Sequence, residues 1–183
     1  ETDPNNKILQ EIQSGTDSLL KVIDNASVIS KVSAGDEIEK EAIDITEMIK
    51  TIVKEFSGPL ELANMKLDLK LKENVIVNAN PIISEVFHNY ISNAIKYASS
   101  GKKIIIGAQE EGGILTINVI DHGDTISIKD QKNIFKRRVQ LGKTSGSGLG
   151  LAIVNQIAKA HDAEVGVKSN SPKGNIFYLK IPK

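Results

Sequence analysis

The chain has 183 residues, of which 40% are hydrophobic, enough for a sizeable core. Its 23 basic and 23 acidic side chains give a formal net charge of zero, so no general basic field attracts nucleic acid or an anionic membrane, and we expect contact with neither. The absence of cysteine excludes disulfides and thiolate metal sites and fits a cytoplasmic location. No apolar run approaches the length of a membrane span, and the amino terminus lacks a signal-peptide pattern.

Residues 5–33 carry apolar side chains at alternating spacings of three and four. This pattern predicts a long amphipathic helix whose apolar face packs against a partner. The following Ser33-Ala34-Gly35-Asp36 breaks the pattern and predicts the end of the helix. We therefore divide the chain into a helical segment at residues 1–40 and a compact domain at residues 41–183.

A second helix and two strands are predicted to open the compact domain. The helix begins after Asp44, a suitable N-cap, and ends at residue 56 or continues to residue 63. Residues 66–72 alternate strictly between polar and apolar side chains, and residues 75–79 form a short apolar run. Because only Glu73 and Asn74 separate the two runs, we expect them to form an antiparallel pair.

The rest of the chain alternates between helical and strand patterns. Helices are predicted at 81–98, 127–135 and 149–161, and strands at 103–109, 114–120, 164–169 and 175–181. The two central strands are joined by Glu110-Glu111-Gly112-Gly113, which is typical of a hairpin. We therefore predict an α/β sandwich, a mixed sheet covered on one face by three helices, preceded by the long amino-terminal helix.

The predicted helix 81–98 has one polar face. Glu85, Asn89, Asn93 and Lys96 follow one another at spacings of four, four and three, which stacks them along one side of a helix. Asparagine is a poor helix-interior residue because its amide competes for the backbone. The strip is either a plain solvent-facing surface or a surface for magnesium and phosphate, because amide oxygens are hard ligands and lysine neutralises phosphate.

A second polar signal stands at the end of the predicted strand 114–120. Asp121 follows this strand and is succeeded by His122 and Gly123. A carboxylate there can accept a hydrogen bond from an exocyclic amine, while the glycine lets the backbone lie close to a flat ring. An ordinary Asp-x-Gly turn explains the same residues equally simply.

A third signal is a glycine-rich run that precedes the predicted helix 149–161. Residues 142–150 contain four glycines, and the loop before them is basic. Glycine leaves backbone N–H groups open to an anion, and the start of a helix adds unpaired N–H groups and a positive dipole end. The run is either a phosphate cradle or a plain flexible loop.

Taken together and in order, these signals resemble the ATP-binding catalytic region of sensor histidine kinases, in the superfamily that includes gyrase, Hsp90 and MutL-type ATPases. Residues 85–98 look like the N box of that family, and Asp121-His122-Gly123 looks like its G1 box. Ile134-Phe135 looks like the F box, and Gly146-Ser147-Gly148-Leu149-Gly150-Leu151 looks like the G2 box. The resemblance covers residues 44 to 183.

The resemblance implies that Mg²⁺ and ATP are the cofactors. On the N box, Asn93 would hold Mg²⁺, Asn89 would support the metal or the phosphates, and Lys96 would contact phosphate. Tyr97 would lie against the adenine. Asp121 would accept from the adenine amino group, and Gly123 would lie close to the ring.

The resemblance also assigns the glycine-rich run. The backbone N–H groups of Gly148, Leu149 and Gly150 would cradle phosphate. Residues 136–147, with Lys143 and Gly146, would form a lid over ATP.

The N box further implies which branch of the superfamily the chain is in. The position of Asn89 is similar to that of a water-activating glutamate in the hydrolysing relatives, and an asparagine cannot act as a general base. The resemblance therefore implies a protein-histidine kinase. Glu85, Asn89 and Lys96 are the candidate catalytic residues, although Glu85 lies a full helical turn before the glutamate position.

Residues 5–33 look like the second helix of the family's dimerisation and phosphotransfer hairpin. The first helix, which would carry the acceptor histidine, is absent from the sequence, and His88, His122 and His161 all lie in the ATP-binding domain. We therefore expect ATP binding without autophosphorylation by this chain alone. The resemblance implies a homodimer through this helix in the full protein, a response regulator receiver domain as partner, and a membrane-anchored sensor as one setting.

Some residues depart from the family pattern. His122 and Thr125 stand where the G1 box has an asparagine and a glycine, and Asn80 replaces an aspartate before the N box. Thr125 cannot take a positive φ cheaply. Two alternatives therefore stay open: a degenerate nucleotide- or partner-binding module of the same fold without transfer, and ATP hydrolysis of the gyrase type.

Overall fold

A computed structural model describes residues 38–136 and 149–183, together with Thr16, Leu20, Ile23 and Ser30 of the amino-terminal segment. The chain divides into two units, Glu1–Asp36 and Glu37–Lys183. The four described residues of the first unit are all helical. The rest of the predicted helix 5–33 lies outside the described residues.

The second unit alternates helices and strands. Its strands are β1 (Glu41–Asp44), β2 (Lys66–Lys70), β3 (Ile76–Ala79), β4 (Lys103–Glu111), β5 (Ile114–Asp121), β6 (Glu164–Ser169) and β7 (Asn175–Pro182). Its α-helices are α1 (Ile45–Glu55), α2 (Ser57–Leu62), α3 (Ser84–Tyr97), α4 (Ile128–Gln131) and α5 (Gly150–Ala160). Within these described residues, no helix is both long and apolar enough to cross a membrane.

The main sheet is mixed, as predicted. Its strand order is β2-β4-β5-β7-β6, in which β2 runs parallel to β4 and every other neighbouring pair is antiparallel. Alternate residues of the central strands are buried, which is the pattern of a sheet with one face against a core. They are Leu115, Ile117, Val119, Phe177, Leu179 and Ile181. The β4–β5 hairpin forms where the Gly112-Gly113 pair takes positive φ.

The predicted hairpin of residues 66–72 and 75–79 is wrong. β2 pairs in parallel with β4, where Leu67 lies opposite Ile104, while β3 pairs with β1 in a separate two-stranded sheet, where Val77 lies opposite Ile43. Closeness in sequence favoured a hairpin, but each strand finds its hydrogen-bonded partner elsewhere in the chain. Strand β1 is four residues long and half polar, and it is not among the predicted strands.

Helix α3 lies between two other helices, α1 and α5, and it follows a 3₁₀ turn at Pro81–Ile83. The Asn80 side chain caps this turn by accepting from the Ile82 N–H at 3.0 Å. One side of α3 is buried through Val86, Phe87, Tyr90, Ile91 and Ala94. The hydroxyl of Tyr90 donates to the carbonyl of Tyr178 at 3.0 Å, which fastens the helix to β7 and fixes which side of α3 faces away from the sheet.

Two other predicted helices differ in extent. The second predicted helix is divided into α1 and α2 at Phe56, so the chain continues in helix beyond residue 56 after a break. The predicted helix 127–135 is helical only over α4, which Ser127 caps, and it continues as turns to Phe135. Ile134 in these turns is buried, and its N–H donates to the Asp130 carbonyl at 3.0 Å, so packing and local hydrogen bonds both hold the segment.

Candidate functional site

Asp121 is the last residue of β5 and is only 2% exposed. Its Oδ1 accepts from the backbone N–H of Gly123 at 3.0 Å, so the side chain closes the turn that follows the strand. A buried carboxylate needs hydrogen-bond donors, because its desolvation is otherwise costly. The turn predicted from the Asp-x-Gly pattern is therefore present, and the same carboxylate is a candidate base-reading group.

Asn175, the first residue of β7, supplies further donors to Asp121. Its backbone N–H donates to Oδ1 at 3.2 Å, and its Nδ2 lies 3.3 Å from Oδ1 and 3.2 Å from Oδ2. Asn175 is not among the residues predicted for the site. The available signal was an asparagine directly after Gly174 at the head of a strand whose alternate positions are otherwise apolar. We call Asp121, Gly123 and Asn175 the Asp121 cluster.

The turn after β5 lies tightly against the end of helix α3. A Cβ placed on Gly123 would collide with Ala98, and one placed on Gly101 would collide with the backbone of His122. The two glycines thus let the backbone of the turn touch the backbone that follows α3. This contact brings the Asp121 cluster next to the carboxyl end of the helix that carries the N-box residues.

Burial raises the pKa of Asp121 above its ordinary value, because desolvation disfavours the charged form. The hydrogen bonds from Gly123 and Asn175 oppose this shift, and His122 lowers the pKa further through its charge. The donors from Gly123 and Asn175 therefore favour the ionised carboxylate, against the effect of its burial.

Glu85, Asn89, Asn93 and Lys96, which we call the α3 strip, lie on the face of α3 that is not buried in the core. The Nδ2 of Asn89 donates to the Glu85 carbonyl at 2.8 Å, which orients its amide. The Oδ1 of Asn89 then lies against Gly150, where a Cβ would collide with that oxygen. The N-box helix and the first residue of α5 are therefore in direct contact.

Helix α5 begins at Gly150 after Leu149, which takes the N-cap position. An N-cap leucine has no side-chain acceptor for the first N–H groups of the helix, and no side-chain cap is made there among the described residues. Such a helix start favours an anion. Both Leu149 and Gly150 are half-buried, at the place where the resemblance puts phosphate.

The remaining residues of the α3 strip are more open. Asn93 is half-buried and makes no side-chain hydrogen bond within residues 38–136 and 149–183, while Lys96 is exposed. Tyr97 is 47% exposed at the end of the helix, beside the turn that contains Gly123. These side chains keep their polar groups available for a ligand.

A fully protein-built metal cage does not occur in the described part of the chain, where no three His, Cys, Asp or Glu side chains come together. The amide oxygens of Asn89 and Asn93 fit Mg²⁺, because this ion accepts few protein ligands and completes its shell with water and substrate phosphate. Amide oxygens beside a helix start that favours anions fit that preference.

Glu85 is the least clearly placed of the predicted catalytic residues. Its carbonyl orients Asn89, and its carboxylate Oε1 lies 3.8 Å from the Nδ1 of His88. The carboxylate is partly exposed and one helical turn before Asn89. The structure therefore gives Glu85 a supporting contact with Asn89 through the backbone.

The three histidines have structural surroundings. The Nε2 of His88 lies 2.9 Å from Glu55 and its Nδ1 lies 3.0 Å from the Ser84 carbonyl. The Nδ1 of His122 lies 3.3 Å from the Lys103 carbonyl.

His161 is buried at the end of α5, and its Nδ1 lies 2.7 Å from the Ile157 carbonyl. Its Nε2 accepts from the N–H of Asn80 at 2.9 Å, so it joins the end of α5 to the cap before α3. Burial lowers the pKa of His161.

Thr125 does not strain the turn after Asp121. It is absent from the described non-glycine residues that take positive φ, and its Oγ1 accepts from the Gly174 N–H at 3.0 Å. The backbone therefore reaches the next strand without the glycine that the family pattern has. Gly174 itself takes a φ of +112°, and a Cβ there would collide with the Asp121 carbonyl.

Residues 137–147 of the predicted lid lie outside the described residues. The same is true of three predicted site residues, Lys143, Gly146 and Gly148. Lys136, the first residue of that lid, is described, and its Nζ donates to Asn133 Oδ1 at 2.7 Å. The assignment of these positions to a lid and a phosphate cradle stays a prediction.

Comparison with known proteins identifies the family. The family described as "Histidine kinase-, DNA gyrase B-, and HSP90-like ATPase" matches residues 78–183, more than half of the chain. The Pseudomonas aeruginosa alginate biosynthesis sensor protein KinB is 26% identical over 179 residues, covering 96% of this chain and 30% of KinB. The Staphylococcus epidermidis histidine protein kinase SaeS is 26% identical over 190 residues, covering 95% of this chain and 54% of SaeS. The chain thus spans 30% of the length of KinB and 54% of the length of SaeS.

Solved structures show the same fold. The catalytic domain of histidine kinase ThkA, in a nucleotide-free form, aligns with a TM-score of 0.73 and 25% identity over 80% of this chain and 97% of that domain. Full-length ShkA in complex with AMPPNP aligns with a TM-score of 0.81 and 21% identity over 99% of this chain and 39% of ShkA. ThkA in complex with the response regulator protein TrrA aligns with a TM-score of 0.73 and 19% identity over 100% of this chain and 52% of the ThkA chain. The chain belongs to the histidine kinase-, DNA gyrase B- and HSP90-like ATPase family and carries the ATP-binding region of a sensor histidine kinase.

Proposed function

We propose that this chain binds Mg-ATP between the α3 strip, the start of α5 and the Asp121 cluster, and that it presents the γ-phosphate to a histidine outside its 183 residues. The phosphoryl group would then pass to an aspartate of a response regulator receiver domain. Phosphoryl transfer needs little covalent chemistry from the protein, so the task of these residues is to position ATP and neutralise its charge.

The observation that carries this proposal is the contact between Asn89 Oδ1 and Gly150. It supports the proposal because an amide oxygen is a hard ligand and this one lies at a helix start that favours anions. The Asp121 cluster touches the other end of the same helix through Gly123. A nucleotide could therefore span α3, with its phosphates near Gly150 and its base near Asp121.

Each side chain has a stated task in this proposal. Asp121 would accept from the adenine amino group through its less occupied Oδ2, and Tyr97 would cover one side of the ring. Lys96 would neutralise phosphate charge. Mg²⁺, held by Asn93 with support from Asn89, would supply Lewis-acid stabilisation of the phosphates.

A kinase is favoured over a hydrolase because Asn89 has no basic form with which to activate water. Its amide is also already oriented by the Glu85 carbonyl. The Glu85 carboxylate lies 3.8 Å from His88 Nδ1, and Glu85 is one helical turn before Asn89. We therefore assign Glu85 no direct role in transfer.

The activity, partners and setting of the whole protein extend beyond this chain. The relatives are named as sensor proteins and histidine kinases, and ThkA has been solved with a response regulator protein. By analogy, we propose that residues 1–40 contribute a dimerisation helix to a homodimer. We propose a cytoplasmic setting for this region, as the part of a sensor that faces the response regulator.

The first test is calorimetric titration of the chain with ADP in the presence of Mg²⁺. Saturable binding is expected, weaker when Mg²⁺ is removed. Absence of binding at millimolar nucleotide would favour the degenerate module of the same fold. Steady phosphate release from ATP that disappears in Glu85→Ala would favour hydrolysis instead.

The second test addresses transfer. The full-length protein incubated with γ-labelled ATP is expected to acquire label that resists base and is lost in acid, as phosphohistidine does. The same label should be absent from the 183-residue chain incubated alone. Labelling of the chain alone would contradict the assignment of the acceptor to a segment outside it.

A further inference from the structure

Residues 38–40 precede β1 and are the first residues of the second unit that the structure describes. They lie in neither a helix nor a strand, yet two of them contact residues far along the chain. The carbonyl of Glu39 accepts from the Nδ2 of Asn80 at 2.8 Å, and the Nζ of Lys40 lies 3.1 Å from the Oδ2 of Asp162. The segment is therefore attached to the chain before α3 and to the chain after α5.

Three polar groups of Asn80 serve three different partners. Its Oδ1 accepts from the Ile82 N–H and caps the turn before α3, while its Nδ2 donates to the Glu39 carbonyl. Its backbone N–H donates to the Nε2 of His161 at the end of α5. An aspartate at this position would keep the cap but would have no donor for Glu39. The amide of Asn80 is therefore the group that joins residues 38–40 to the turn before α3.

His161 is 3% exposed, and its two ring nitrogens have fixed roles. Its Nδ1 lies 2.7 Å from the Ile157 carbonyl, which can only accept, so Nδ1 carries the proton. Its Nε2 then offers a lone pair to the Asn80 N–H at 2.9 Å. A second proton would set a ring N–H against the N–H of Asn80 and leave both donors unsatisfied. The contact therefore requires a neutral His161.

Burial lowers the pKa of His161, because desolvation disfavours the charged ring. The charge of Lys40 also lowers this pKa, whereas the charge of Asp162 raises it. In the attached segment Lys40 and Asp162 are paired with each other. Departure of Lys40 would remove the unfavourable charge and leave the favourable one, so release of the segment and protonation of His161 promote each other.

The other elements around α5 direct their charged groups elsewhere. Strand β3 and the turn before α3 carry no titratable side chain. The remaining charged or histidine side chains of α5 and of its neighbours β6 and α3 are Lys159, Glu164, Lys168, Glu85, His88 and Lys96. Glu164 is paired with Lys180, Glu85 and His88 lie beside each other near Glu55, and the three lysines are exposed. Lys40 and Asp162 are thus the charges whose arrangement changes when the segment is released.

We propose that Asn80, His161 and the Lys40–Asp162 pair form a pH-sensitive latch, which holds residues 38–40 while His161 is neutral and releases them when His161 is protonated. Each released residue lengthens the connection between the two units by about 3.3 Å. The latch contains none of the residues assigned to the nucleotide. It therefore goes beyond the proposed function and does not depend on it.

The first measurement is NMR of the isotope-labelled 183-residue chain without nucleotide, at about pH 7.5 and about pH 5.5, on either side of the ordinary pKa of histidine. Hydrogen exchange of the Asn80 N–H, relative to its intrinsic rate at each pH, reports the fraction of released molecules. Protection of this N–H should fall severalfold at the lower pH, within the limit of roughly tenfold per pH unit that one proton allows. The signals of Glu39, Lys40 and the His161 ring should change with one common midpoint.

Low concentrations of urea separate release of the segment from unfolding of the whole unit. Urea accelerates exchange in proportion to the surface that an opening exposes. Exchange of the Asn80 N–H should therefore hardly respond to urea. Amides of β5, at the centre of the sheet, should exchange faster as urea is added.

Two variants divide the latch into its parts. His161→Gln offers an amide oxygen to the Asn80 N–H and has no charged form, so this N–H should stay protected at both pH values. Asn80→Asp keeps the acceptor for the Ile82 N–H and loses the donor to Glu39, so the signals of residues 39 and 40 should take their released positions at both pH values. Circular dichroism shows which variants fold.

His122→Gln is the matched control, because it makes the same change at a histidine that lies beside the Lys103 carbonyl instead. It should keep the pH response of the unchanged chain.

Three results would overturn the latch: the same pH response in His161→Gln as in the unchanged chain, attached positions of residues 39 and 40 in Asn80→Asp, or a urea response of the Asn80 N–H equal to that of β5. The last result would make His161 a residue of global stability only. If the variants do not fold, the unchanged chain decides, since separate midpoints for the His161 ring and for residues 39 and 40 contradict the proposal. Failure of the chain to bind nucleotide would leave all of these results untouched.

Discussion

The Asp121 cluster and the α3 strip lie at the two ends of the same proposed site, yet their polar groups are bonded very differently. The carboxylate of Asp121 is almost fully buried and already receives donors from Gly123 and Asn175. On the α3 strip, Asn93 is half-buried without a side-chain hydrogen bond in the described ranges, and Lys96 is exposed. The polar groups of the Asp121 cluster, which we call the prebuilt end, are thus hydrogen-bonded to one another before any ligand binds. Asn93 and Lys96 of the α3 strip still have polar groups that a ligand can contact.

The difference follows from what each end would bind. A neutral ring offers few hydrogen bonds, so it is recognised best by a rigid, desolvated group whose orientation is fixed beforehand. Phosphates carry charge and bring Mg²⁺ and water, so they suit side chains that remain solvated until the ligand arrives. The comparison therefore predicts large, specific losses at the Asp121 cluster and smaller, graded losses at the α3 strip.

The largest effect is expected for Asp121→Asn. The new amide would set an NH₂ group against the Asn175 Nδ2 and could no longer accept fully from an adenine amine. Affinity for Mg-ADP should fall by roughly a hundredfold, measured by calorimetry. Asp124→Asn, which alters an exposed carboxylate three residues further along the turn, is the control and should bind as before. Equal affinity of Asp121→Asn and the unchanged chain would show that the buried end does not read the base.

A smaller effect is expected at the phosphate end for Gly150→Ala. The added methyl group has no room beside Asn89 Oδ1, so either the amide turns away or the first turn of α5 shifts. Affinity for Mg-ADP should fall by roughly tenfold, while binding of adenosine should not change.

Gly58→Ala is the matched control, because a Cβ at Gly58 meets nothing within 4 Å. It should leave nucleotide affinity unchanged and stabilise α2 slightly. If Gly150→Ala weakened adenosine and ADP alike, the separation of the site into two independently built ends would be wrong.

His161 joins the end of α5 to the residue before the turn that leads into α3. We expect its replacement to change the stability of the fold rather than nucleotide binding. His161→Leu removes the acceptor of the half-buried Asn80 N–H and should lower the free energy of unfolding by about 1–3 kcal/mol at neutral pH. Because burial lowers the pKa of His161 below the value of 6.5 that it has when exposed, the unfolded chain takes up a proton first as the pH falls. This contribution to stability is therefore complete above pH 6.5 and is lost as the pH drops below it.

Urea unfolding at a series of pH values tests this prediction. The decline in stability below pH 6.5 should be smaller in His161→Leu than in the unchanged chain. His122→Gln is the control and should keep the decline. An identical pH dependence in all three proteins would mean that His161 is protonated equally in the folded and unfolded states.

The smallest effect is expected for Lys173→Ala. This change removes the exposed ion pair with Asp124, 2.7 Å long, on the turns beside the Asp121 cluster. Exposed pairs contribute little because water and salt screen them. Affinity for Mg-ADP should stay within about twofold of the unchanged chain. A larger loss would show that the prebuilt end depends on surface charge as well as on Asn175.

Much of this arrangement could be predicted from the sequence because its signals are local. The four-four-three spacing from Glu85 to Lys96 depends only on helix geometry, and α3 displays those residues on one face. The patterns at residues 103–109, 114–120 and 175–181 likewise predict strands, and β4, β5 and β7 form there. The glycine-rich run predicted a helix starting near residue 149, and α5 begins at Gly150.

What could not be predicted depends on partners distant in sequence. The polar alternation of β2 does not say which strand it joins, and its parallel pairing with β4 comes from the whole sheet. Asn175 looks like an ordinary turn residue after Gly174 until β5 and β7 are placed side by side. The structural role of His161 likewise depends on a distant residue, because its Nε2 accepts from the N–H of Asn80.

The most direct test of the central claim is a titration of the isotope-labelled chain with Mg-ADP, followed by NMR of backbone and side-chain amides. We predict that the signals of Asn89, Asn93, Gly123, Gly150 and Asn175 all shift and saturate at one common nucleotide concentration, because one ligand spans both ends of α3. Shifts confined to one end, or no saturable shift at millimolar Mg-ADP, would contradict a nucleotide bound between the α3 strip and the Asp121 cluster.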